Sequence, residues 1–434
     1  MRAGAATITP RSPGPLAGYA AREGALSTGT HDELEAALLV LDDGRARFGW
    51  LSLDAIGVTE ALAARLRDAV IAGLGDPSAA IVVAASHSHS APLGWVGSIH
   101  PGHAGEVDEH AVEELVERVT VLASQLGAAP PEAVEAVWSS APAEGLGTNR
   151  LDPSGPHDDR VGMLALTSVA TGAVRAVVFD TATHPTVLGP SNLLWSADWP
   201  GAARSVLRAA LGAVDAFGGG GRQAPTVLFL QGAAGDVSTR FTRRGDDFGE
   251  VARLGSIAAA AALRALADSS PLPAALTHRA TTLELERRPL PSPDAAEREL
   301  AEATAARESL RMLPDLDPGV RIAQARLDGA VVQRRLVEAD TPTMLRLPIS
   351  VLAIGDVAWV HVPVELFASV GATIRDHSPF TTTRIVGYAD GYSGYLVDRA
   401  ALASGSYEAL STVFPAHAPE RLASAVTDLL KELR

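Results

Sequence analysis

Two short segments place histidines where they could act together. The apolar run Ala79-Ala-Ile-Val-Val-Ala-Ala85 empties into Ser86-His-Ser-His-Ser-Ala-Pro92, so His87 and His89 stand two apart just past the end of a buried strand. In extended chain alternate residues share a face, which lets both imidazoles enter one pocket; a polar turn with two solvated histidines is the alternative. A second run, Val177-Val-Phe-Asp-Thr-Ala-Thr-His-Pro185, delivers His184 to its exit in the same way. A third, Val357-Ala-Trp-Val-His-Val-Pro-Val-Glu365, ends in a carboxylate before Leu-Phe-Ala-Ser-Val-Gly-Ala-Thr-Ile, which reads as a helix. The macrodipole alone would favour Glu365 in the first turn of that helix. The chain has no cysteine, so a transition metal would have to be held by His, carboxylate or Tyr oxygen. Two neutral imidazoles and one carboxylate form a set that zinc accepts.

Other segments compete for attention. His100-Pro-Gly-His103 with His110 is a rival histidine constellation, which the Pro and Gly mark as a loop and which reads more simply as solvated side chains. His361 alternates into a strand and suits a core position. Phe229-Leu-Gln-Gly-Ala-Ala-Gly-Asp-Val-Ser-Thr-Arg240 is a strand running into a Gly-spaced turn that presents Asp236 and Ser238. Close-packed glycines let backbone amides approach a ligand, as an oxyanion site requires. The segment lacks the GxSxG elbow of the serine hydrolases.

The pieces His87-Ser-His-Ser-Ala-Pro, Thr148-Asn-Arg150, His184-Pro-Thr, Gly235-Asp-Val-Ser-Thr, Pro363-Val-Glu365 and Gly391-Tyr-Ser-Gly-Tyr395 with Tyr407-Glu408 occur in this order over most of the chain. Together they resemble the motif series of the neutral, non-lysosomal ceramidases. That resemblance implies a zinc ion held by His87, His184, Glu365 and Tyr395, with His89, Arg150, Ser238 and Tyr407 lining the scissile amide. It implies a hydrolase that cleaves an N-acyl bond with metal-activated water, in sphingolipid metabolism if the substrate is ceramide. His89 would then relay a proton to the departing nitrogen, Arg150 would anchor a polar or anionic group, and Tyr407 and Ser238 would hold the oxyanion. Ser238 as a covalent nucleophile, the same metal site run on another acyl bond or in the direction of amide formation, and a zinc-binding homologue without activity remain the competing readings. The sequence departs from the family in two places. Gly-Asp-Val-Ser-Pro-Asn is here Gly-Asp-Val-Ser-Thr-Arg240, and Thr-His-Ser-Gly-Pro-Gly is here Ser-His-Ser-Ala-Pro-Leu93. Both changes leave the metal positions intact and alter the pocket beside them, hence the substrate.

The elements that must carry these residues follow from periodicity. Residues 35–57 read as two strands around an Asp43-Gly44 turn, and Thr59 to Leu74 as a helix capped by Thr59 and stopped by Gly75. Buried strands are expected at 79–85, 173–180, 226–230, 349–354 and 357–362, with helices near 107–126, 201–212 and 250–267 between them. Residues 289–341 differ: dense in Ala, Glu, Arg and Leu, they read as two amphipathic helices, 292–312 and 319–338, forming an excursion. The expectation is an α/β fold, a single large catalytic domain over 1–434 with mostly buried mixed sheets flanked by helices. No internal repeat is visible, and Gly218–Gly221 reads as a loop. Only 27 residues follow Tyr407, so the C-terminal immunoglobulin-like domain of the ceramidases is not expected.

The 434 residues, 47% of them hydrophobic, exclude a disordered chain. Fifty-one acidic against 36 basic residues give a net charge of −15, a field that repels phosphate backbones, so nucleic acid is not expected as a partner. The first ten residues lack the apolar stretch of a secretory signal, and no run of eighteen or so apolar residues occurs. No integral membrane segment is expected, and a cytoplasmic protein acting on a small N-acyl molecule is; the oligomeric state is left open.

Overall fold

The computed structural model describes residues 1–100, 102, 104–214, 224–314, 317–339 and 342–434. His103 and the Gly218–Gly221 run lie outside the described residues. The hairpin expected around Asp43-Gly44 forms from strands Glu35–Asp42 and Arg47–Leu53, with Gly44 at φ +85°, where glycine is at no disadvantage. The helix Glu60–Leu74 starts where the Thr59 hydroxyl accepts from the Leu62 amide and stops at Gly75 in the left-handed region.

That hairpin is the middle of a unit that occurs three times. In the first unit Arg2–Thr7 pairs antiparallel with Glu35–Asp42, which pairs antiparallel with Arg47–Leu53, which pairs parallel with Ala80–Ala85. Helix Glu60–Leu74 makes the crossover that the parallel pair requires, and helix Glu109–Ala128 follows. In the second, Val134–Pro142, Arg160–Ser168, Val174–Thr181 and Thr226–Gln231 pair in the same sense, with helices Asp198–Val214 and Phe248–Ala267. In the third, Leu276–Glu286, Met344–Ile354, Val357–His361 and Thr382–Val386 repeat the order, with helices Ala368–Asp376 and Ala418–Lys431. The absence of a repeat from the sequence is corrected here: the repetition lives in pairing sense and element order, and no residue pattern carries it.

Strands such as Ala80–Ala85, Thr226–Gln231 and Val357–His361 are buried on both faces, which is why they read as continuous apolar runs. One face of all three sheets meets in a common core that includes Leu39, Trp50, Val82, Leu164, Val178, Leu228, Leu352 and Trp359. Each opposite face is covered by its own helices, giving three outer cores. The units are joined at the carboxyl ends of their parallel strands, where the Gly387 amide donates to the Gln231 carbonyl at 2.9 Å and the Ala85 amide to the Tyr388 carbonyl at 3.1 Å. The excursion is two helices, Pro293–Ser309 and Pro318–Glu338, inserted in the connection between the antiparallel partners Leu276–Glu286 and Met344–Ile354. Among the described residues no helix is long and apolar enough to cross a membrane.

One buried carboxyl makes part of this frame pH-dependent. Asp198, at the start of helix Asp198–Val214 with φ +56°, accepts from the Trp199 amide at 2.7 Å and the Leu188 amide at 3.2 Å. Burial pushes its pKa up to about 6, against the two amide bonds. A folded-state value above the unfolded one means that the folded chain binds the proton more tightly. The stabilisation is therefore full below about pH 4 and is lost as pH rises through about 6. Asp198→Asn tolerates the left-handed backbone and removes the titration. Relative to wild type it is expected to gain roughly 2–3 kcal/mol between pH 4 and pH 7, on top of a constant cost for the lost amide bond. Urea melts of both proteins at the two pH values check the slope.

Candidate active site

The chemistry-bearing residues leave the carboxyl ends of the parallel pairs, the edge where ligand crevices form in open α/β sheets. Past Ala80–Ala85 the chain keeps pairing: the Ser86 amide donates to Leu53 O and the Ser88 amide to Ala55 O. This holds His87 between them at φ +67°. Tyr388 occupies the corresponding place two residues past Thr382–Val386, also left-handed at φ +55°, and its ring stacks on that of His87 at 4.1 Å. His184 follows Val174–Thr181 and bridges to Ser238. Glu365 follows Val357–His361.

Glu365 does not open a helix. Its amide donates to Gly394 O, it pairs with Tyr395 in a short parallel bridge, and the helix begins at Ala368. Strand pairing thus takes the place that the macrodipole argument gave to a helix. Gly235 is required here because a Cβ would meet the Glu365 carbonyl oxygen at 2.6 Å. Its amide donates to Leu366 O, so this Gly-spaced turn serves the Glu365 strand and does not offer that amide to a ligand.

The three groups converge. His184 Nε2 is 3.1 Å and His87 Nε2 3.4 Å from Glu365 Oε2, and all three side chains are almost fully buried. Their opposite ring nitrogens donate to the backbone, His87 Nδ1 to Ile56 O at 2.6 Å and His184 Nδ1 to Val237 O at 3.1 Å. In the neutral rings these bonds place the proton on Nδ1 and leave Nε2 bare. Two bare imidazole nitrogens therefore face a carboxylate oxygen, electron pairs against electron pairs. A cation between them turns that juxtaposition from repulsive to attractive, and carbonyl-oriented histidines are the usual partners of one. Burial pushes the Glu365 carboxyl up, but the charge and hydrogen bonds that His87 and His184 offer when protonated outweigh it and hold it well below the usual carboxylate range. Burial and the Arg150 cation lower His184 to about 4, so it is neutral and ready to ligate at pH 7. His89 Nε2 is 3.4 Å from His87 Nε2, and the ligand atoms of His87, His89 and His184 all lie within 4.8 Å of one another. Burial, followed by the neighbouring His87, holds His89 well below the normal histidine value. Among the described residues no group of three ligating His, Asp or Glu side chains assembles outside this centre.

The remaining expected residues surround this centre. Tyr395 receives a hydrogen bond from Arg150 Nη2 at 3.1 Å, Arg150 Nη1 is 3.4 Å from His184 Nε2, and Arg150 Nε donates to Glu408 at 2.7 Å. Tyr407 packs its ring edge-on against Tyr395 at 5.6 Å. Ser238 Oγ accepts from the Arg240 amide at 3.2 Å, beside His184. Of the rival histidines, His100 is buried, and a Cβ on Gly394 would meet its ring at 2.7 Å, whereas His110 is exposed at the start of a helix. His361 is a core histidine: its Nε2 accepts from the Trp50 indole at 2.8 Å and burial lowers it to about 3.

Sequence reasoning missed Tyr388 and Tyr392. Tyr388 donates to Glu365 Oε2 at 3.3 Å, Tyr392 donates to Oε1, and burial together with the Glu365 charge raises both phenols well above their normal value. It also missed Tyr19, whose ring lies 4.9 Å from that of His89, and Gly18, where a Cβ would meet that ring at 2.4 Å. A signal existed. The chain has five tyrosines, three of them fall between residues 388 and 395, and all five surround this centre.

No family model and no curated protein matches the sequence. Solved structures do. Neutral ceramidase from Pseudomonas aeruginosa matches with a TM-score of 0.76 at 18% identity, over 99% of this chain and 73% of that one. A ceramidase complexed with C2 matches with a TM-score of 0.78 at 17% identity, over 100% of this chain and 75% of that one. Three repeated sheets and the loops that deliver His87, His184 and Glu365 to one point are thus set in the fold of the neutral ceramidases.

Proposed function

We propose that the protein is a zinc-dependent amidohydrolase of the neutral ceramidase type, cleaving the N-acyl bond of ceramide or another N-acyl compound. The observation that carries this reading is the meeting of two bare, backbone-oriented imidazole nitrogens with an ionised carboxylate at the strand ends. His87, His184 and Glu365 would hold the metal, with the Tyr395 oxygen as a fourth ligand. When bound there, zinc supplies Lewis acidity, polarising an amide carbonyl and acidifying water.

The chain's own residues do the rest. Tyr388 and Tyr392 donate to the two oxygens of Glu365 and fix its orientation. Arg150, anchored on Glu408, aims the Tyr395 hydroxyl. His89, neutral and wedged between Gly18, Tyr19 and His87, accepts a proton at a ring nitrogen and passes it to the departing amine. The Tyr407 and Ser238 hydroxyls donate to the developing oxyanion.

The test is release of free fatty acid from a panel of N-acyl compounds differing in chain length and amine, using protein stripped by chelator and protein reloaded with zinc. Hydrolysis is expected only after reloading, with at least about a hundredfold difference in rate. Undiminished turnover by metal-free protein, accompanied by an acyl adduct on Ser238, would favour a serine amidase instead.

A further inference from the structure

Beside the centre, the loop after Ser238 and the excursion bring together three arginines without an ion-pair partner among the described residues. Arg240 Nη1 donates to Arg150 O at 3.2 Å, and Arg321 Nη1, from helix Pro318–Glu338, donates to Arg240 O at 3.5 Å. Arg243 Nη1 donates to the carbonyls of Thr186 and Val187 at 2.7 and 2.8 Å, just past His184. Among the described residues none of the three forms an ion pair, whereas Arg204, Arg208 and Arg384 do so with Asp54, Glu35 and Asp180. Of the acids, Glu408, already paired with Arg150, acts on Arg240, and the exposed Asp246 acts on Arg321.

Each guanidinium carries five N–H groups, and each of these three uses one nitrogen on backbone carbonyls. None of the nitrogens left over is among the buried polar atoms without a partner. Arg240 is nonetheless half-buried, and burial with the neighbouring Arg150 cation lowers it to about 10. Arg22 adds a further cation on the Tyr19 ring, its Nε buried without an acceptor. In a chain of net charge −15 this is a local concentration of positive charge that repels itself. It joins the centre through Arg150, 3.4 Å from His184 Nε2.

We propose that Arg240, Arg243 and Arg321 form an anion subsite, and that the substrate carries a carboxylate or phosphate close to the scissile amide. The planar guanidinium fork matches the oxygens of either group and binds them bidentately. A neutral substrate leaves the three cations uncompensated. Because Arg321 comes from the excursion, the excursion supplies one wall of the substrate site. This inference rests on the amidohydrolase reading for the position of the bond to be cut.

The probes are N-lauroylglycine, its neutral isostere N-lauroylglycinamide, and N-lauroyl-O-phosphoethanolamine, compared by kcat/KM with zinc-loaded protein and by titration calorimetry with metal-free protein. At least one acidic compound is expected to exceed the neutral one by about tenfold or more in both measurements, and the tighter of the two identifies the group recognised. Arg240→Gln and Arg321→Gln are each expected to erode that preference about tenfold, and Arg321→Lys, which keeps the charge but loses the fork, to restore part of it. Equal binding of the acidic and neutral compounds, or a preference indifferent to all three substitutions in variants that melt like wild type, overturns the subsite. If no compound is cleaved, the hydrolase reading fails, and calorimetry on the metal-free protein still decides the subsite.

Discussion

Under the proposed function, His184→Ala is expected to abolish zinc binding. His184 supplies a bare Nε2 at 3.1 Å from Glu365 and is held in place by Val237 O and by the bridge to Ser238. Removing an outer partner of a metal ligand typically weakens binding about 10- to 100-fold, and removing the ligand itself should exceed that. Alanine also leaves the Glu365 carboxylate with one imidazole fewer and a void in a closed site. Mass-spectrometric metal analysis should find about one zinc per chain in wild type and well under a tenth in the variant, with turnover falling at least about a thousandfold. A variant that keeps its full zinc content would show that the ion, if present, is held elsewhere.

Arg384→Met is expected to cost about 3–5 kcal/mol of stability. Arg384 lies on the last strand of the third unit and donates through Nε to Asp180 of the second at 2.6 Å, and through Nη1 to Asp158 at 3.0 Å. Asp180 is 1% exposed, and burial already raises its pKa against the Arg384 charge. Without the guanidinium, two carboxylates remain at the seam between sheets, one of them fully desolvated. Denaturant melts should show the loss, and Asp180→Asn in the same chain should recover much of it, because the penalty comes from the orphaned charge. Additive losses in the double variant would contradict that account.

The parts legible in the sequence were those whose cause is local. Asp43-Gly44, the Thr59 cap and the Gly75 stop each act within a few residues, and each appears where expected. The histidines were legible because a buried strand has a recognisable end and His87 and His184 stand just past one. Glu365 was legible as a residue and misjudged as an element, because its strand partner Tyr395 lies 30 positions further on. The Gly235 turn was misjudged for the same reason: the carbonyl of Leu366, far away in sequence, takes the amide that local reasoning had offered to a ligand. Tyr388 and Tyr392 owe their place to the meeting of the third unit's loops with the carboxylate, and only their crowding into one window marked them in advance.

The pairing order that recurs across the three sheets has a chemical corollary. His87 and Tyr388 sit at matching addresses in the first and third copies, yet one offers a lone pair and the other a phenol. His184 comes from the second copy and Glu365 from the third. A near-symmetric frame thus presents an asymmetric set of donors at its centre, and no copy on its own holds enough of them to grip a cation. Under the proposed function, reactivity belongs to the three copies together, and reassigning the side chain at any one address would alter the chemistry.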